Sequence, residues 1–217
     1  MAAGHAEQPA WTTELWRRMR RLFWLKSLGI SAFMWLFFVA YFHLLRHPTH
    51  APTVMPLTAL DRFIEFQPAA LAAYLSLWFY VGIAPALLLS ITELIVYGLW
   101  AGALCLAGLA CFYFWPTAVP AAHLTGQTAF ALLQGVDAAG NACPSLHVAT
   151  AMFSAICLDR LLRTVGTPAA LRWVNGLWFV AIAYSTLAVK QHVVVDVLAG
   201  LALGVVFALP SLRWRPS

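Results

Sequence analysis

The sequence predicts an all-α integral membrane protein, a six-transmembrane-helix bundle with both termini cytoplasmic. Three observations lead there. Hydrophobic residues make up 62% of the chain and charged residues 10%, whereas soluble domains run at about half and about a quarter. Apolar stretches close to the roughly 20 residues that cross a bilayer core recur along the chain. Arginines gather in alternate connections, the pattern that orients membrane helices. Mean hydropathy is +0.79, in keeping with all three.

In chain order, "WTTELWRRMRRLFWLK" mixes tryptophan and arginine at helical spacing, which predicts an interfacial helix on an anionic leaflet. Residues 1–26 are therefore expected to form a cytoplasmic amphipathic segment, and residues 27–217 the membrane domain. The first span is expected over 27–45; its apolar core is too long for a signal peptide and no small-x-small site follows, so it reads as retained. A proline-rich connection over 46–68 carries Arg46, Asp61, Arg62 and Glu65. The second span covers 69–89, with a kink expected at Pro85, and the third covers 91–114, with Glu93 near the interface. A polar loop over 115–143 leads to the fourth span, 145–162. The fifth, 172–189, and the sixth, 192–210, are separated by so short a turn that they are expected to form an antiparallel hairpin.

The net charge of +5 is concentrated at Arg17–Arg21, at Arg160, Arg163 and Arg172, and at Arg213 and Arg215. Those segments are expected in the cytoplasm, and an even number of spans agrees. No basic patch is interleaved with aromatics in a polar context, which excludes nucleic acid as an expected partner. Cys105, Cys111 and Cys157 lie in apolar runs and Cys143 in a loop, with no zinc or disulfide spacing among them. His43, His47 and His50 read as interfacial residues, and neither metal nor cofactor is expected. A bacterial inner membrane is the expected location.

Two stretches remain that apolarity does not explain. "NACPSLHVAT" places Asn141, Ser145 and His147 at the start of the fourth span. "STLAVKQHVVVDVLAG" places Ser185, Lys190, His192 and Asp196 around the start of the sixth, at the same face. His192 and Asp196 stand one helical turn apart. A carboxylate on one imidazole nitrogen fixes the tautomer and leaves the other nitrogen to attack or to exchange a proton. An aspartate in a span costs up to about 3 kcal/mol, so it is expected to have a partner or a water-filled cavity. A second imidazole, His147, can serve as acid while His192 attacks a phosphoester. Ser145 and the N–H groups that open the fourth span favour an anion, and Lys190 can either add charge to it or reach toward the interface.

Pro144-Ser145-Leu146-His147, followed by Ser185-Thr186, five residues, His192, three residues and Asp196, resembles the type 2 phosphatidic acid phosphatase superfamily. That family carries Lys-x6-Arg-Pro, Pro-Ser-Gly-His and Ser-Arg-x5-His-x3-Asp. The resemblance implies that His192 is the nucleophile, Asp196 its orienting partner and His147 the acid, with Ser145, Asn141, Ser185 and Lys190 at the substrate. It also implies a phospholipid or isoprenoid phosphate substrate among the membrane lipids, with the site outside. The chain departs at three places: Leu146 replaces glycine, Thr186 replaces arginine, and Phe114 with Ala121-Ala122 stands where the first motif belongs. The leucine-for-glycine form with a weak first motif is similar to the branch near inositol-phosphoceramide and sphingomyelin synthases, phosphotransferases whose less charged diesters need fewer cations; His123 and Arg62 are candidate substitutes. The expected activity is metal-independent hydrolysis of a lipid phosphate ester through phospho-His192. Head-group phosphotransfer is the alternative within the same chemistry, and a non-catalytic scaffold or transporter subunit is the alternative outside it.

Overall fold

A computed structural model describes residues 10–120 and 140–213. Readings that fall on 121–139, His123 and Ala121-Ala122 among them, lie outside the described residues. Helix α1 (Trp11–Arg20) and helix α2 (Phe23–Arg46) are separated by a left-handed residue, Leu22, with φ 57°. The first apolar helix therefore starts at Phe23, and Lys26 belongs to it. In α1, Glu14 accepts from Arg17 and from Arg18 at 2.7 Å. These two guanidiniums hold its carboxyl down to about 2.

Two short elements lie in the following connection, strand β1 (Thr53–Val54) and helix α3 (Ala59–Phe63). A 3-10 turn at Pro68–Ala70 leads into α4 (Leu71–Leu75) and α5 (Leu77–Ala86). Contrary to expectation, the interruption in this second apolar run is at Ser76 and not at Pro85. The Ser76 hydroxyl donates to the Ala73 carbonyl at 2.6 Å and accepts from the Trp178 indole at 2.9 Å. Pro85 sits in the final turn of α5, where the helix is ending.

Helix α6 (Ile91–Phe114) starts with a reciprocal cap. The Ser90 hydroxyl accepts the Glu93 N–H, and the Glu93 carboxylate accepts the Ser90 and Leu89 N–H groups. Strand β2 (Thr117–Ala118) then pairs in parallel with β1, a two-residue ribbon within an otherwise helical fold. Among the described residues, three further helices follow: α7 (Leu146–Val165), α8 (Ala169–Ala188) and α9 (Val194–Ser211).

Among the described residues, four segments are long and apolar enough to cross a membrane: Phe23–Arg46, Pro68–Ala86, Ile91–Phe114 and Val194–Ser211. Helices α7 and α8, the expected fourth and fifth spans, have 20 residues each but fall short in apolarity. The reason is visible in their packing. Asp159 of α7 joins Arg163 at 2.7 Å and Arg172 of α8 at 2.8 Å. Asn175 of α8 accepts from the Tyr80 hydroxyl at 2.7 Å and donates to the Ala155 carbonyl at 3.0 Å. Helix α7 is the centre of the bundle, and its buried face meets protein on several sides. Polar groups there are matched by protein and need not be apolar.

The expected α8–α9 hairpin is not what forms. Both helices pack on α7 and scarcely touch each other. The cause is a pair of glycines one turn apart on α9. A Cβ on Gly200 would stand 2.5 Å from the Ser145 carbonyl oxygen, and one on Gly204 would stand 2.7 Å from that of Ala149. Only glycine permits backbones this close, the arrangement by which membrane helices associate without a hydrophobic driving force.

At the other end of the bundle, Lys26 is 4% exposed. Its ammonium donates to the Arg18 and Ala86 carbonyls, both at 2.7 Å. Each carbonyl lies in the last turn of its helix, where backbone acceptors lack intrahelical partners and a cation is favourable.

Two outcomes follow for thermal unfolding of the purified protein in detergent. Gly200→Ala has no room and is expected to destabilise by about 1–3 kcal/mol through overpacking, whereas Gly176→Ala, where a Cβ meets nothing within 4 Å, is expected to be neutral or stabilising. Lys26→Met orphans two helix-terminal carbonyls and is expected to cost about 1–3 kcal/mol.

Candidate active site

Local sequence dictates how the first half of the site is held. The Cys143–Pro144 peptide is cis. Ser145 ends the loop and caps α7, its hydroxyl accepting the Val148 N–H at 3.3 Å. The Cys143 N–H donates to the Thr117 hydroxyl at 2.8 Å, so β2 anchors this loop. Burial, and next the Asp196 carboxylate, push the Cys143 thiol up to about 11, which keeps it neutral. Leu146, the residue in the family's glycine position, is accommodated by another glycine. A Cβ on Gly108 of α6 would meet the Leu146 side chain at 2.4 Å, so bulk absent from α6 is supplied by α7.

One residue further on, His147 reaches across to α4. Its Nε2 lies 3.2 Å from the Tyr74 carbonyl, and since a carbonyl only accepts, that nitrogen carries a proton. The ring stacks on Tyr74 at 4.1 Å between centroids and meets Trp78 edge-on at 5.4 Å. Two aromatic side chains thus define the plane of the imidazole.

The second half of the site is the turn between α8 and α9. The Gln191 and His192 N–H groups both donate to the Thr186 carbonyl at 3.1 Å. Asp196 is fully buried and accepts the Val193 N–H at 3.0 Å through Oδ2. His192 Nδ1 lies 3.6 Å from that same oxygen, too long for a hydrogen bond. Among the described residues, His192 Nδ1 and Asp196 Oδ1 are the buried side-chain polar atoms without a partner. Buried polar groups are seldom left so, and here the two belong to one imidazole–carboxylate pair.

Two halves become one site through the backbone. The Ser145 N–H donates to the Asp196 carbonyl at 3.0 Å, which locks the α7 start to the first turn of α9. His147, His192 and Asn141 line a single cavity of about 800 Å³, walled for the rest mostly by apolar and aromatic side chains of α2, α4, α5, α6 and α7, with Lys26, Thr150 and Ser154 among them. Asn141, with φ 54°, donates to the Tyr41 carbonyl of α2 at 3.2 Å.

The remaining expected residues are placed differently. The Ser185 hydroxyl is buried and donates to the Ile182 carbonyl at 2.6 Å, and Thr186 does the same to Ala183 at 2.8 Å. The Lys190 ammonium donates to the Asp61 and Ile64 carbonyls. Neither Ser185, Lys190 nor Ser145 is among the residues that line the cavity. Among the described residues, Lys26 is the one lysine or arginine that does, and it sits at the far end from the histidines. Phe114, in the family's lysine position, is exposed at the end of α6.

Sequence reasoning missed Asp61. Its Oδ1 accepts the Val194 N–H at 2.8 Å, and its Oδ2 accepts the Thr58 N–H at 2.8 Å and hydroxyl at 2.7 Å. Two carboxylates, Asp61 and Asp196, therefore satisfy N–H groups that open α9 beside His192. The available signal was Thr58-x-x-Asp61, a helix-capping pattern in a connection treated as a plain loop. Tyr74 and Trp78 were missed as well; in the sequence they are ordinary aromatics of an apolar run.

No curated protein and no solved structure matches the chain. A family model described as the PAP2 superfamily matches residues 100–217, which take in most of α6, all of α7 to α9, and both His147 and His192. The chain belongs to the PAP2 superfamily, whose members are phosphatases and phosphotransferases acting on lipid phosphates.

Proposed function

We propose that this protein is a membrane-integral lipid phosphatase that hydrolyses a lipid phosphate ester through a phospho-histidine, without metal. One observation carries the reading. Two histidines, one on α7 and one in the turn before α9, line one end of a single largely apolar cavity, and the buried Asp196 carboxylate stands 3.6 Å from the second of them.

In the first step His192 Nε2 attacks phosphorus and the ester P–O bond breaks. His147 gives a proton to the departing alkoxide. Asp196 takes the hydrogen bond from Nδ1–H as positive charge develops on the His192 ring; a small rotation closes the 3.6 Å gap, as is common between resting and reacting geometries. In the second step water attacks phosphorus, His147 takes its proton, the P–N bond breaks and phosphate leaves. Asn141 and the N–H groups that open α7 supply donors to the phosphate oxygens. Ser145, Ser185 and Lys190 act on substrate through the turn and loop they hold. Direct contact would require each to release the protein group it now engages.

For the membrane arrangement, α7 and α8 complete six crossings, with their charged ends at one face. Arg160, Arg163 and Arg172 then share the cytoplasmic side with α1, and the histidines face outside, in a bacterium the periplasm.

A head-group phosphotransferase is the second reading, favoured by a specific observation. Among the described residues that line the cavity, no lysine or arginine stands at the histidine end. A doubly charged monoester is poorly matched there, whereas a singly charged diester fits. This feature supports kinship with the inositol-phosphoceramide and sphingomyelin synthase branch.

With labelled lipid phosphates and EDTA present, His192→Ala and His147→Ala are each expected to lower kcat by roughly 10²–10⁴-fold. Acid quenching should trap label on wild-type protein and none on His192→Ala. Equal inactivity of wild type and His192→Ala on monoesters, pyrophosphates and diesters alike would remove the enzyme reading. An added alcohol acceptor decides between water and transfer. Asp61→Asn keeps an acceptor oxygen but loses its charge, so it is expected to retain more activity than Asp61→Ala while both remain folded by thermal unfolding.

A further inference from the structure

The cavity continues far beyond the histidines. Along α2 its wall includes Lys26 at one end and Phe42 at the other, a stretch of about 24 Å at 1.5 Å per residue. A single leaflet provides about half of the roughly 30 Å hydrocarbon core. The slot is thus longer than one leaflet is deep, and it ends at a lysine whose ammonium is tied to two carbonyls.

Two glycines keep it open. Gly29 on α2 and Gly98 on α6 both line the slot, and a Cβ at either would meet nothing within 4 Å. No backbone approach or left-handed conformation requires glycine at these places, in contrast to Gly200 and Gly204. Glycine inside a helix costs up to about 1 kcal/mol relative to alanine. What glycine preserves here is open width along the slot.

We propose that this slot receives the hydrocarbon tail of the phosphate-ester substrate and measures its length, with Gly29 and Gly98 as specificity-determining positions and Lys26 as the floor. The head group rests at His147 and His192, as in the function proposed above; the tail runs between α2 and the bundle, past the two glycines. Continuity with the histidine pair makes the substrate's own tail the occupant. The depth selects tails that extend beyond the reach of one leaflet. Helix α2 suits such a wall, since Lys26 is its one buried side chain among the described residues and little packing has to be broken to admit a chain.

The test is binding of n-alkyl phosphates of increasing length, below their micelle-forming concentrations, to the full chain in detergent. Native mass spectrometry reads the bound fraction. A His192→Ala background prevents turnover, so failure of the phosphatase reading does not erase the signal. Wild-type affinity is expected to rise about fourfold per methylene, the equivalent of about 0.8 kcal/mol, until the tail reaches Lys26, and then to level off. With Gly98→Trp the rise should stop at a shorter tail while the shortest ester binds as before, and Gly29→Trp, one turn from the Lys26 floor, should likewise stop it short of the wild-type length. Gly98→Leu, a smaller plug, should give a smaller shift, and thermal unfolding verifies that each variant is folded. A flat wild-type profile, or folded variants with the wild-type profile, overturns the proposal.

Discussion

Everything at the histidine end depends on how closely α9 lies against α7. Gly200 and Gly204 let the two backbones approach to a distance that any side chain would prevent. At that distance the Ser145 N–H reaches the Asp196 carbonyl, and segments separated by some fifty residues share one hydrogen bond. His147 and His192 are brought to one cavity as a result. In an apolar solvent no hydrophobic force would draw these helices together; van der Waals contact and backbone complementarity must do so. A methyl group at Gly200 therefore acts on the site itself, although the residue touches no substrate.

A second layer of control comes from the connection before the 3-10 turn. Asp61 caps α9, Lys190 donates back to the Asp61 and Ile64 carbonyls, and the Gln67 N–H donates to the Ala188 carbonyl. The turn that carries His192 is thereby tied to a distant part of the chain at several points. This bracing explains how a five-residue connection can hold a buried aspartate. The energetic problem of a carboxylate among apolar helices is met at Asp196 by the Val193 N–H, with the His192 ring 3.6 Å away, and not by a lysine or arginine. The same choice leaves the histidine end of the cavity without a lysine or arginine among the described residues.

The two kinds of glycine on these helices serve opposite ends. Gly200, Gly204 and Gly108 are filled by neighbours, whereas Gly29 and Gly98 face open space. Residue type alone does not separate these roles. Whether a missing Cβ is occupied by another helix or left as volume is a property of the packing.

Apolarity, the spacing of His192 and Asp196, and the Pro-Ser-Leu-His run were enough to establish a helical chain with membrane-length segments and to point to its family. These features are local, because helix periodicity and one-turn spacing are set by the backbone. The break at Ser76, the separation of α8 from α9, the Asp61 cap and the service of Lys190 to carbonyls were not legible. Each depends on a partner far away in the chain. A lysine reads alike whether its ammonium meets a phosphate or a carbonyl, and an aspartate alike whether it faces water or caps a helix. Sequence by itself determined which chemical groups are present and their spacing within each helix. Only the tertiary structure decided which of them meet, because that meeting is governed by the closeness of α9 to α7 and by the protein groups that claim each donor first.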